Sequence, residues 1–278
     1  MKGDAAFLHR PLIIRGNAYL QGGKQPMLSE LLPLHSGMTV ALVGAGGKTT
    51  TMFRLAADLA ARGERVITTT TTHISTPNAD QTEALVLTAA DEHWRETIAE
   101  ALATHQHITV AANTTAEGKL QGIPPEWADD LHVLPGVGVV LIEADGAKGR
   151  LIKAPADHEP VIPASTDLVL LLMSAEALGQ RLSAEIAHRP EQITAVTGLA
   201  PGKIITPQVL AALAASEHGL LKGCPPTAKA VLILTHVNPL LLQAARHTAK
   251  LALASDRLAG ALFCTLTWAL FFSSGNEL

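Results

Sequence analysis

Short unbroken apolar runs alternate along this chain with longer stretches in which apolar residues return every three or four positions. The first pattern fits buried strands, and the second fits helices that pack one face. Strands are therefore expected at 39–43, 65–70, 84–88, 108–112, 137–144, 168–173, 230–235 and 261–267. Helices are expected at 48–62, 91–105, 125–131, 191–197, 207–216 and 239–257, with a short one at 28–34. In the 48–62 segment Met52, Leu55, Ala56 and Leu59 share a face, and Gly63 stands where a C-cap belongs. Thr206 and Pro207 read as an N-cap followed by a first helical residue. The 168–173 run is apolar throughout, as in a strand covered on both faces. Strands separated by helices predict an α/β fold, a doubly wound, mostly parallel sheet with ligands at the carboxyl ends of its strands. Residues 1–27, of mixed polarity, are expected to form an N-terminal extension and 28–278 the α/β domain; a subdivision is possible near 153–165, where Pro155, Pro160 and Pro163 crowd.

Where the first strand ends, the sequence reads Gly44-Ala45-Gly46-Gly47-Lys48-Thr49-Thr50 before helical periodicity begins. Glycines let backbone N–H groups close on phosphate oxygens, and a helix N-terminus adds partial positive charge. Lys48 is of the type that reaches β- and γ-phosphates, and the Thr49 hydroxyl suits Mg²⁺. The full signature places a further Gly at position 42, where this chain has Leu42. The strand–turn–helix context makes Gly44 through Thr50 a nucleotide phosphate site and the sheet one of P-loop NTPase type.

Three further constellations carry candidate chemistry. Val139 to Ile142 is apolar and leads into Glu143 and Asp145, two residues apart and so on one side of an extended chain. One acid would bind Mg²⁺ and the other orient water or substrate; spacing does not assign the roles. The run Thr68 to Thr72 followed by His73 is either plain β structure or an active-site loop in which Thr71, Thr72 and His73 meet the phosphate end. Finally, Lys148, Arg150 and Lys153, with His158 and Glu159, follow Gly146 in a Gly/Pro-rich segment. That segment is either a solvated loop or a mobile one that meets phosphates or an anionic substrate.

Hydrophobic residues make up 47% and charged ones 17% of 278 residues, which excludes a disordered chain. The net charge is −4 and no Lys/Arg cluster tracks a polyanion, so nucleic acid is not an expected partner. Cys224 and Cys264 stand far apart, which suits a reducing cytoplasm rather than a disulfide framework. The apolar tract from Ala261 to Phe272 is too short for a membrane span, so no membrane partner is expected, and its end, Thr267 to Phe272, has no evident role. The remaining histidines show no metal-site spacing.

Taken together, Gly44 to Thr50, the Thr run ending in Thr72-His73-Ile74, Glu143-Ala144-Asp145-Gly146-Ala147-Lys148-Gly149-Arg150 and the stretch Lys153-Ala154-Pro155 through His158-Glu159-Pro160 resemble the YqeC-type proteins. The resemblance covers about 28–258. It implies a P-loop protein that binds ATP or GTP with Mg²⁺ and serves as an accessory factor in selenium-cofactor maturation of molybdenum hydroxylases. Its partners would be nucleotide and a molybdenum hydroxylase or that enzyme's cofactor precursor. Carried over by position, Gly44, Gly46, Gly47, Lys48, Thr49 and Thr50 bind phosphate, Glu143 and Asp145 end the acidic strand, and Lys148, Arg150, Lys153, His158 and Glu159 form the loop after it. Where a guanine-reading Asn-Lys-x-Asp motif is expected, the chain has Thr235-His236-Val237-Asn238, without the Lys or the Asp. Three modes of action stay open: an NTPase, a nucleotide-gated carrier or assembly partner with little turnover of its own, and a small-molecule kinase. The sequence fixes neither the base nor the oligomeric state.

Overall fold

The continuous apolar runs assemble into a nine-stranded sheet. In chain order its strands are β1 (Met38–Gly44), β2 (Val66–Thr70), β3 (Ala84–Leu87), β4 (His107–Ala111), β5 (Val139–Glu143), β6 (Leu168–Ser174), β7 (Lys229–Thr235), β8 (Leu258–Cys264) and β9 (Ala269–Ser273). This is a computed structural model, and it describes residues 27–264 and 269–273. Across the sheet the order is β9-β8-β7-β6-β1-β5-β2-β4-β3. Every neighbouring pair is parallel except β8 with β9.

The helices are α1 (Lys48–Ala60), α2 (Trp94–Thr104), α3 (Pro125–Leu131), α4 (Pro190–Thr197), α5 (Pro207–Ala215) and α6 (Leu242–Ala252). Strand alternation decides which of them each side chain meets. Val40 and Leu42 of β1 pack with Met52, Leu55 and Ala56 of α1 on one face. Ala41 and Val43 point the other way, into a core with Leu210 and Leu213 of α5 and Ala245 and Ala249 of α6. Ala41 is in register with Ile142 of β5, whose side chain joins Ile98 and Leu102 of α2. Helices thus cover both faces, and the sheet is doubly wound and mostly parallel.

The chain leaves β1 toward β2 on one side, later inserts β5 between them, and then builds β6, β7 and β8 on the other side. That reversal opens a crevice at the carboxyl end of β1, the place where open α/β sheets bind ligands.

Several expected boundaries move. The last parallel strand, Leu258–Cys264, starts earlier than the expected 261, residues 265–267 lying outside the described residues, and the long helix is Leu242–Ala252 rather than 239–257. The helix starts late because the Asn238 side-chain oxygen accepts the Leu240 and Leu241 N–H groups and shapes a turn there. At 28–34 only a single 3₁₀ turn, Leu28–Glu30, is present. Lys119–Gln121 pairs antiparallel with both His73–Ser75 and Asn113–Thr114, making a small sheet beside the main one. The expected N-terminal extension lies outside the described residues apart from Met27, as do Thr267 and Trp268 of the apolar ending. No helix among the described residues is long and apolar enough to cross a membrane.

Leu141 is fully buried in β5, whereas Val133 is 68% exposed. Leu141→Ala is expected to lower the unfolding free energy by about 2–5 kcal/mol, and Val133→Ala by no more than about 0.5 kcal/mol. Urea denaturation of the two variants checks this; equal effects would contradict the placement of the core.

Candidate functional site

The turn after β1 is shaped by contacts that only glycine permits. Gly44 and Gly46 have φ of +97° and +80°, and a Cβ on Gly46 would come within 2.6 Å of the Ser174 nitrogen and 2.8 Å of the Leu151 carbonyl oxygen. Between them Ala45 is buried and donates its N–H to the Leu172 carbonyl at 2.9 Å. The loop is thereby seated on the end of β6. Gly47 is the N-cap of α1, so the unpaired N–H groups of that helix open toward a cleft of about 1200 Å³.

Gly46, Gly47, Lys48, Thr49 and Thr50 line this cleft together with Glu143. The Thr49 hydroxyl donates to Glu143 Oε2 at 2.7 Å. Lys48 Nζ donates to the Gly44 carbonyl at 2.7 Å and lies 3.2 Å from Asp145 and 3.6 Å from Glu143. Burial pushes the Glu143 carboxyl above its ordinary range, against the opposing pull of Lys48 and the Thr49 hydroxyl. The two acids, two residues apart, have different surroundings. Glu143 faces the cleft, while Asp145 is 1% exposed and lies beneath it. Asp145 accepts the Gly44 N–H at 3.1 Å and meets Lys48 on one side and Lys153 Nζ, at 3.0 Å, on the other.

The loop residues divide in the same way. Lys148 and Arg150 line the cleft, as do Gly146 and Gly149. Lys153 does not: it is fully buried, and its ammonium donates to the Gly146 carbonyl at 2.6 Å and to Glu159 at 2.7 Å. Arg189, the residue before α4, donates to the same Glu159 oxygen at 2.6 Å. Burial acts to raise the Glu159 pKa, yet the hydrogen bonds from Arg189 and Lys153 win and hold it down at about 2. Asp145, Lys153, Glu159 and Arg189 thus form a continuous chain of opposite charges leading from the phosphate loop to α4. His158 is exposed and lies off the cleft.

Of the threonine run, Thr68, Thr69 and Thr70 are buried strand residues that hydrogen-bond to neighbouring strands. The Thr71 hydroxyl is engaged by the Val161 carbonyl, and Thr72 and His73 reach the cleft. Residues that sequence reading did not place there also line it: Lys119 of the small sheet, Thr115 and Glu117 in the turn before it, and Glu176 after β6. They come from segments far apart in the chain, so spacing offered no signal for them. His236, in the segment after β7 where a base-reading motif was expected, lines it too. Among the described residues no group of three or more His, Cys, Asp and Glu is arranged to hold a metal. The donor pair Thr49 and Glu143 nevertheless suits Mg²⁺, which takes one or two protein oxygens and completes its shell with phosphate and water.

A family described as YqeC protein matches residues 40–191, which contain the phosphate loop, the acidic strand and the basic loop. A protein of Escherichia coli (strain K12), described as uncharacterized protein YqeC, is 36% identical over 207 residues, 72% of this chain and 76% of its own length. The solved structure of chloroplast FtsY from Physcomitrella patens is similar with a TM-score of 0.40 and 18% identity, covering 84% of this chain and 61% of that one. Signal recognition particle 54 kDa protein from Aeropyrum pernix K1, solved in complex with GDP, gives 0.41 and 17%, covering 91% of this chain and 47% of that one. The chain therefore spans less than two thirds of either of these structures.

The buried charges make two expectations. Lys153→Met leaves Asp145 and Glu159 without their shared cation and is expected to cost about 3–5 kcal/mol of stability in urea. Glu159 is held at about 2 against an ordinary 4.5. A depressed carboxylate stabilises the fold fully above its unfolded pKa and loses that contribution as pH falls through the folded one. Wild-type stability is thus expected to fall more steeply than that of Glu159→Gln between about pH 4.5 and about pH 2; parallel curves would contradict the pairing.

Proposed function

This chain belongs to the YqeC family, and from that premise we propose that it is an accessory protein that binds ATP or GTP with Mg²⁺. The observation that carries the reading is the meeting of Lys48, Thr49 and Glu143 at the N-terminus of α1, at the edge of one cleft. A triphosphate laid across the first N–H groups of α1 offers Lys48 new oxygen partners in place of Gly44 and Asp145. Thr49 and Glu143 would hold the metal, which when bound would supply positive charge against the phosphates. Glu143 is assigned this role because it faces the cleft, and Asp145 is a positioning residue because its oxygens are engaged by Gly44, Lys48 and Lys153. Lys148 and Arg150 approach the terminal phosphate, or an anionic second substrate, from the loop above.

The client is a molybdenum hydroxylase or its cofactor precursor, in a selenium-dependent maturation step in the cytoplasm. That part of the reading rests on the resemblance set out at the start. One observation favours a nucleotide-gated carrier over a free-running NTPase: the charge chain from Asp145 to Arg189 gives a change at Lys48 a physical route to α4. Turnover in that case is slow until the client is added.

Isothermal titration with ATP and GTP, with and without Mg²⁺, tests the core of this reading. Tight binding of at least one nucleotide is expected. Lys48→Ala should weaken it roughly 10-fold or more through loss of a charged hydrogen-bond donor, and Glu143→Gln should reduce its dependence on Mg²⁺. Absence of binding by wild-type protein would overturn the reading.

A further inference from the structure

The residue after β7, His236, has a left-handed backbone with φ of +53°. Non-glycine residues held in that region gather at functional sites. Its ring is pinned on one edge only. Nδ1 lies 3.1 Å from the Ser174 hydroxyl, which is fully buried, and 3.0 Å from the Thr235 hydroxyl. The Thr235 hydroxyl in turn donates to the Gly46 carbonyl, so the pin is fastened to the phosphate loop itself. A Cβ on Gly47 would lie 3.8 Å from His236 Cε1, which sets the ring against the N-cap of α1. The side chain is exposed to the cleft, and no described residue bonds its Nε2.

Sheet order tells which end of a nucleotide meets this ring. Thr49 and Glu143, the metal pair, stand on the β5 side of β1, whereas His236 stands on the side of β6 and β7. A tail whose terminal phosphate faces Glu143 therefore runs past Gly47 and brings its nucleoside to His236. The same flank has little that distinguishes one base from another. The Thr235 hydroxyl is engaged by the Gly46 carbonyl, and Asn238, which does not line the cleft, has its side-chain oxygen engaged by the N–H groups of Leu240 and Leu241. Glu176, which follows β6, is a carboxylate that lines the cleft next to this flank.

On the premise that the cleft takes a nucleotide, we propose that the His236 ring is a platform for the nucleoside, and that the protein recognises phosphates and an aromatic face rather than the identity of the base. Aromatic stacking is tolerant of sequence because every base presents a π-face. Ser174 and Thr235 are positioning residues that hold the ring at its angle.

Titrations of ATP, GTP and CTP with Mg²⁺ into wild type, His236→Gly and His236→Phe test this. Glycine relieves the positive φ while removing the ring, and phenylalanine keeps a ring; equal unfolding midpoints confirm that both variants fold. Wild type is expected to bind the three nucleotides within roughly 3-fold of one another, His236→Gly to bind each roughly 10-fold more weakly, and His236→Phe to retain most of the affinity. Undiminished binding by His236→Gly overturns the platform alone and leaves the nucleotide reading standing. A preference for GTP of roughly 30-fold or more assigns base reading to the Glu176 carboxylate and overturns base tolerance. Wild type that binds none of the three overturns both.

Discussion

A carboxylate excluded from water persists as an ion only where cations and N–H groups replace the lost hydration. Asp145 has that replacement in full: the Gly44 N–H and Lys48 on one side, Lys153 on the other. Because these partners are shared between buried groups, Asp145 constrains everything it touches. It fixes the first residue of the phosphate loop to the end of β5, it fixes Lys48 beneath the cleft, and through Lys153 it fixes Glu159 and Arg189.

For the proposed function the consequence is that Lys48 is already paired before any ligand arrives. Lys48 rests on the Gly44 carbonyl and on two carboxylates at 3.2 and 3.6 Å, within a side-chain motion of the mouth of the cleft. A triphosphate competes with these partners, so its binding energy includes rearrangement of the charge cluster. Because Asp145 keeps Lys153 when Lys48 turns away, the buried anion is never left alone. The same ion pairs run on through Lys153 and Glu159 to Arg189, at the start of α4.

The sheet was legible because burial on both faces demands continuous apolar runs, and β1, β5, β6 and β7 supply them in Val40–Val43, Val139–Ile142, Leu168–Met173 and Ala230–Leu234. Helix ends were less so: the start of α6 follows a turn shaped by the Asn238 side chain, a local choice that apolar periodicity does not record. The two- and three-residue strands of the small sheet are too short for a period to show. That Gly46 to Thr49 and Glu143 meet at one cleft was legible because the turn and the strand end that place them are each written in consecutive residues. Spacing alone did not separate Glu143 from Asp145, since what differs is the cations that meet each one. Arg189 was hidden for the same reason, lying 30 residues from Glu159 in the chain.

The most direct test of this account is amide hydrogen exchange across residues 44–50 in the intact protein, with and without Mg·ATP or Mg·GTP. Slower exchange there with at least one nucleotide is predicted, because phosphate oxygens would take up the N–H groups at the start of α1. Exchange in that segment unchanged by either nucleotide would contradict the central claim.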